Sequence, residues 1–338
     1  MDILYIHPAK QEVDARFDKY KSCSAYPFIP VGIVGLVNLL RVDGWSVQGI
    51  NLPMELLMQP RFDFRTWLRA RTPAKLVMID LHWYEHCFGA MDVVEATKQV
   101  WPHTPVVIGG LTASNFAEEI LTDFPAIDYI VRGDAEEPLR LLAAYCCGDA
   151  TVDLSAIPNL VHRQNGEAVQ NGRSYFASPD ILDSQDFVSL DWLHNWRSYG
   201  SIQYSGAGMI ELRRSKYQGH WLTVGRGCVF NCIYCGGGKK SHQDLAGRRG
   251  YVVRTPEGVA DDIERLQELG YDQVSLSLDP ATFKPEWWRQ LFKLLRKRTI
   301  RIGLYNEFFQ LPSKDFFSGV CPYRRLRTYG GSHFTPFG

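Results

Sequence analysis

The chain has 338 residues, 45% of them apolar and 22% charged, with 37 Lys and Arg against 37 Asp and Glu. That is an ordinary globular composition, which excludes disorder, collagen-like repeats and a supercharged nucleic-acid binder. Zero net charge gives no electrostatic ground for binding DNA or a membrane surface, so neither is expected as a partner.

The length suggests two domains, each able to bury its own core. The opening MDILYIHPAK has an acidic second residue and a strand-like run where a signal peptide would carry basic residues and an apolar core. The longest apolar stretch, residues 29–40, contains Asn38 and falls short of the ~20 residues of a membrane span. A cytoplasmic location is expected. Cysteines stand at 23, 87, 146, 147, 228, 232, 235 and 321, and three of them fall within eight residues. In a reducing compartment such a cluster points to metal rather than disulfides.

Apolar runs rich in Ile, Val and Leu recur at 3–6, 47–52, 76–81, 106–108 and 129–131, which predicts buried parallel strands. Segments with helical spacing lie between or after them at 31–40, 91–100, 116–121 and 138–144. The alternation predicts a doubly wound α/β sheet, whose ligand would lie beyond the carboxyl ends of the strands. The loops there hold Gly109, Gly110, Leu111 and Thr112, and then Gly133, Asp134 and Glu136. Gly109 and Gly110 admit a close ligand or simply make a tight turn. No GxGxxG follows the first strand, so a dinucleotide has little support. After the third strand, Asp80 to His86 concentrates polar and aromatic groups, and His82 and His86 are candidates to contact a cofactor or to sit satisfied by hydrogen bonds.

From residue 151 the pattern changes. Residues 160–163, the turn at Asn165-Gly166 and a second short strand at Ala168 and Val169 predict a hairpin. An aromatic-rich segment through Phe187, Trp192 and Trp196 reads as an ordered strap, because free linkers rarely carry so many aromatics.

A strand-like run at 221–224 leads into Gly225-Arg226-Gly227-Cys228-Val229-Phe230-Asn231-Cys232-Ile233-Tyr234-Cys235, followed by Gly236, Gly237 and Gly238. Three thiolates at CxxxCxxC spacing can hold three irons of a [4Fe–4S] cube and leave the fourth open. A structural zinc site would want a fourth ligand nearby, with His242 the nearest candidate.

The cysteine motif, with an aromatic before its last Cys, resembles the signature of radical S-adenosylmethionine enzymes. Together with Val107-Ile108-Gly109-Gly110, Arg132-Gly133-Asp134-Ala135-Glu136 and the hairpin strap, it is similar to the cobalamin-binding branch of that superfamily. The resemblance implies a Rossmann-like cobalamin-binding domain over 1–150, a hairpin-containing strap over 151–218, the N-terminal half of a radical S-adenosylmethionine β/α barrel over 219–310, and an irregular tail over 311–338. It implies three cofactors: a [4Fe–4S] cluster, S-adenosylmethionine and cobalamin. Cys228, Cys232 and Cys235 would hold the cluster. Tyr234, Gly236, Gly237, Gly238, Asp279 and Glu307 would meet S-adenosylmethionine, although each acid alone also reads as a helix cap or a solvated strand end. His82, Gly109, Gly110, Leu111, Thr112, Gly133, Asp134 and Glu136 would meet cobalamin.

Two departures stand out. The loop after the first strand reads Pro8-Ala9-Lys10-Gln11-Glu12-Val13-Asp14, without the Asp-x-His-x-x-Gly that supplies an axial histidine in many cobalamin domains. Only 118 residues follow residue 220, room for about three βα units at roughly 30 residues each. A truncated barrel, or one completed by a partner chain, is therefore expected. The implied activity is a radical enzyme, foremost a methyltransferase at an unactivated carbon of a small molecule or natural product, served by an external one-electron donor. Cyclisation or rearrangement by the same cofactors, and a non-catalytic cobalamin- or cluster-binding protein, are the alternatives.

Overall fold

A computed structural model describes residues 1–10, 26–205, 217–233, 235–320 and 326–327. The chain divides into two compact units. The first comprises Met1–Ala177, Ser189–Trp196 and Gly227–Tyr251, and the second Ser178–Val188, Arg197–Arg226 and Val252–Gly338. The cysteine loop therefore belongs to the first unit.

In the first unit, β1 (Ile3–His7), α1 (Gly32–Val42), β2 (Val47–Asn51), α2 (Leu52–Met58), α3 (Phe64–Arg69), β3 (Leu76–Asp80), α4 (Cys87–Val100), β4 (Val106–Gly109), α5 (Leu111–Asn115), α6 (Ala117–Asp123), β5 (Tyr129–Val131) and α7 (Glu136–Cys146) follow in order. The parallel strands lie as β2-β1-β3-β4-β5, with Ile3 opposite both Val47 and Leu76. Every residue of β1 and β3 is buried, as expected for strands covered on both faces. Their core includes Leu4, Ile6, Val77, Ile79, Val106, Ile108 and Ile130.

The hairpin β6 (Leu160–Gln164) and β7 (Glu167–Gln170) turns on Asn165 and Gly166, both at positive φ (53° and 87°), which suits the twist of its strands. It is part of the first unit's sheet: β6 pairs antiparallel with β5, Val131 opposite Leu160, so the sheet continues beyond residue 150. Of the strap, residues 189–196 are seated on β2. Gly49 N–H donates to the Trp192 carbonyl and His194 N–H to the Gly49 carbonyl, both at 2.8 Å. A Cβ on Gly49 would lie 2.6 Å from the Trp192 ring, so only glycine admits this contact.

The helices α2 and α3 have no sequence-predicted counterpart. Each is started by its cap: Asn51 accepts from Met54 N–H at 3.1 Å with Pro53 in the first turn, and Asp63 accepts from Thr66 N–H at 2.9 Å.

The second unit contains α8 (Pro179–Asp183), α9 (Trp196–Ser205) from its second residue onward, and β8 (Gly219–Leu222). After the strands β9 (Gly225–Gly227) and β10 (Tyr251–Val253), with α10 (Lys239–Ala246) between them, come α11 (Pro256–Glu268), β11 (Gln273–Leu276), α12 (Pro285–Lys297), β12 (Gly303–Tyr305), α13 (Lys314–Val320) and β13 (Leu326–Arg327). The parallel order is β13-β12-β11-β8. In α12, Trp288, Leu291, Phe292 and Leu295 form the buried stripe. Arg254 is buried and donates to Asp183 at 3.1 Å, Asp262 at 2.7 Å and the Thr223 carbonyl at 2.9 Å.

The tail expected to be irregular carries α13 and β13. Phe316 is buried in edge contact with Trp288 and Phe292, and packing of this kind holds a helix too short to show a period. Among the described residues, no helix is long and apolar enough to cross a membrane.

Candidate functional site

The cysteine loop runs between β9 and α10. Gly227 enters it at φ +95°, and a Cβ there would lie 2.6 Å from the Gly250 carbonyl. The three thiols are free, Cys228 half-buried and Cys232 and Cys235 exposed. Cys235 N–H donates to the Cys232 carbonyl at 3.2 Å and Lys239 N–H to the Phe230 carbonyl at 2.7 Å, which closes the loop on itself. Phe230 N–H points at Cys228 Sγ from 3.4 Å, a contact that stabilises thiolate and tunes a cluster. The donor set is soft sulfur on one exposed turn, which suits iron–sulfur ligation. Gly236 has open space where a side chain would stand, Gly237 lies beside Leu111, and buried Gly238 begins α10. Tyr234 lies outside the described residues.

This loop is fastened to the carboxyl ends of the first unit's strands. A Cβ on Gly237 would be 3.7 Å from Leu111 Cδ1 at the start of α5. Gly133, at φ +69°, leaves only 3.0 Å between its Cβ position and Ala246 at the end of α10. Arg248 donates to the Asp134 carboxylate and, at 3.0 Å, to the Ala177 carbonyl, while Asp134 also accepts from Ala177 N–H at 2.9 Å. The carboxylate of Asp134 thus has an internal role, joining β5 to the segment after the cysteines. Glu136 is buried at the start of α7.

The turn after β4 is tied to the loop after β3. Thr112 Oγ1 donates to the His82 carbonyl at 3.0 Å, and a Cβ on Gly110, at φ +112°, would meet the His82 backbone at 2.7 Å. Gly110 is thus required by the turn itself, whereas Gly109 has only the Val131 carbonyl near, at 3.5 Å. The His82 ring stands edge-on to Trp83. In the same β3–α4 connection Tyr84 and Phe88 are 74% and 77% exposed, apolar surface of the kind a flat macrocycle covers. Gly109, Leu111, Thr112, Gly133 and these aromatics line one end of one sheet, and the residues present fit a corrin there.

His86 follows a different course. It is buried beside His7 and Asp80, and burial pushes it down to about 4, so it is neutral at pH 7. His7, at the end of β1, faces the Asp80 carboxylate at 2.9 Å, a partnership that the sequence did not single out. A histidine closing a buried strand looks like any core histidine until the fold brings Asp80 to it.

In the second unit, Asp279 follows β11 and Glu307 follows β12, on neighbouring strands. Asp279 is buried and accepts from Ala281 N–H at 2.9 Å and Phe309 N–H at 3.0 Å, a turn-capping role, with burial pushing its carboxyl up. Glu307 is exposed and lies 3.4 Å from Tyr305 Oη.

Comparison with known proteins fits this arrangement. Residues 19–143 match the B12 binding domain and residues 222–318 the radical SAM superfamily. Over 179 residues, 52% of this chain, it is 30% identical to the anaerobic magnesium-protoporphyrin IX monomethyl ester cyclase of Cereibacter sphaeroides, covering 26% of that protein. It is 28% identical over 182 residues to the protein of the same name from Rubrivivax gelatinosus, covering 53% of this chain and 29% of that protein. The chain thus spans less than a third of the length of these two relatives. The radical S-adenosylmethionine methyltransferase TsrM of Kitasatospora setae, solved with tryptophan and an aza analogue of S-adenosylmethionine, shares the fold. Its TM-score is 0.68 at 18% identity, covering 99% of this chain and 60% of that one.

Proposed function

We propose that this chain, which carries a B12-binding domain followed by a radical SAM domain, is a cobalamin-dependent radical S-adenosylmethionine enzyme that transfers a methyl group to an unactivated carbon. The observation that carries the proposal is the seat of the cysteine loop: Gly237 lies against Leu111, and Arg248 is locked to Asp134, at the strand ends where a B12-binding domain receives its corrin. When bound, the cluster supplies an electron to the sulfonium and the corrin a transferable methyl group.

The chain's own residues bind and orient. Cys228, Cys232 and Cys235 would hold the cluster, which would bind the amino and carboxylate groups of S-adenosylmethionine. Gly236, Gly237 and Gly238 give the methionine end backbone room. Glu307, exposed beyond β12, offers an acceptor to the ribose or amino group, and Asp279 shapes the neighbouring turn. Tyr84, Phe88, Gly109 and Thr112 form the apolar and close-approach surface for cobalamin. The substrate is a small molecule or natural product, and an external donor supplies single electrons.

A cyclase is the second reading, favoured by the name that the curated relatives share. Anaerobic reconstitution with iron, sulfide, cobalamin, S-adenosylmethionine and dithionite separates the possibilities. Methyl transfer yields S-adenosylhomocysteine together with 5′-deoxyadenosine; cyclisation yields 5′-deoxyadenosine alone. Neither product above a no-enzyme control would leave a non-catalytic binding protein and overturn both.

A further inference from the structure

We propose that His7, Asp80 and His86 form a buried divalent-cation site within the first unit, separate from the cysteine loop. One potential ligand atom from each lies within 4.8 Å of the others, and the residues are 0%, 3% and 0% exposed. His7 Nδ1 faces both carboxylate oxygens of Asp80, at 2.9 and 3.1 Å. Its Nε2 is 3.3 Å from the Tyr26 carbonyl, which can only accept, so the ring proton on that side is committed. With Nε2–H directed at a carbonyl, an outer partner of the kind metal-bound histidines use, Nδ1 beside Asp80 is the nitrogen left to a cation. Tyr5 Oη donates to Asp80 Oδ1 at 2.6 Å and fixes that carboxylate in turn.

The third member supplies the independent observation. Both ring nitrogens of His86 are buried, and neither has a hydrogen-bond partner among the described residues. The ring centroid stands 5.2 Å from that of His7. A neutral imidazole walled in with two unused polar atoms costs about 1–3 kcal/mol per unsatisfied group, a cost that a cation bound through one of them offsets. Two imidazoles and one carboxylate suit a borderline first-row ion, zinc or iron(II), rather than magnesium or calcium, which prefer oxygen. The site lies at the ends of β1 and β3, so it would pin the first unit's sheet at the neighbouring loops.

The proposal depends on neither the cluster nor the corrin, and its test removes the three clustered thiolates, while the absence of a thiolate charge-transfer band checks the remaining cysteines. Full-length C228A/C232A/C235A, stripped with chelator, is titrated anaerobically with Co2+. A single equivalent is expected, with visible ligand-field bands, no thiolate charge-transfer band and a rise in melting temperature. Tyr5→Phe, which removes only the outer hydroxyl, should weaken binding by about tenfold. His86→Gln should weaken it further while its circular dichroism stays native. Absence of saturable binding, or affinity unchanged in both His86→Gln and His86→Ala, overturns the proposal. So does 14N hyperfine coupling from His7 or His86 on the cobalt of bound cobalamin, which would make the histidine a corrin ligand.

Discussion

Arg248, just past the cysteine loop, donates to the carboxylate of Asp134, 114 residues earlier in the chain, and both side chains are buried. Removing one partner of such a pair strands a charge in low dielectric. Asp134→Asn should therefore lower unfolding stability by about 3 kcal/mol, read by chemical denaturation. The double variant Asp134→Asn/Arg248→Met should recover part of that loss. A double-variant loss equal to the sum of the two single-variant losses would mean that the pair is not coupled.

Gly133 occupies φ +69° with Ala246 only 3.0 Å from where a Cβ would stand. Gly133→Ala combines left-handed strain with a push on α10, so a loss of about 1–3 kcal/mol is expected. Cluster yield after reconstitution should drop with it, because α10 anchors the end of the cysteine loop. A full cluster yield at reduced stability would separate the two effects.

Cys232→Ala should abolish the charge-transfer absorbance of the reconstituted cluster and all cleavage of S-adenosylmethionine. Sulfide analysis and product chromatography read the two independently. Retention of both would exclude the assigned ligand set.

His220 is fully buried with Nε2–H donating to the Phe187 carbonyl at 2.7 Å, and burial pushes it down to about 4 from an ordinary 6.5. A folded-state pKa below the unfolded one means that the native form binds fewer protons, so this stability is complete above 6.5 and is lost as pH falls toward 4. At pH 5 the loss is about 2 kcal/mol. His220→Asn should flatten that part of the stability curve, measured by denaturation at pH 7 and pH 5.

A fragment ending at residue 150 would leave β5 without β6 and β2 without Trp192, exposing a bare strand edge. A fragment of residues 1–196 should be monomeric and retain cobalamin, whereas residues 1–150 should aggregate. Gel filtration with bound-corrin absorbance decides this, and equal behaviour would show that the hairpin and the strap contribute nothing to the sheet.

The parallel core was readable because β1 and β3 are buried on both faces and so appear as unbroken apolar runs, and the Asn165-Gly166 turn announced its hairpin. The cysteine spacing was likewise legible in nine contiguous positions from Gly227 to Cys235. The helices α2 and α3 did not show, since with seven and six residues they are set by caps more than by periodicity. Long-range partnerships were also hidden. His7 and Asp80 are 73 residues apart, and neither type nor spacing distinguishes them from ordinary core polar groups. The hairpin's membership of the first sheet was equally out of reach, because a two-strand turn signal does not say which edge it will join.

The first unit is assembled from three separate stretches, the last ending at Tyr251. Tandem domains usually mature in the order in which the ribosome delivers them. Here the leading body lacks its closing piece until Tyr251 has emerged, with only residues 178–188 and 197–226 of the trailing one ahead of that piece, so its sheet can form early while the clasp of Arg248 on Asp134 is made late in biogenesis.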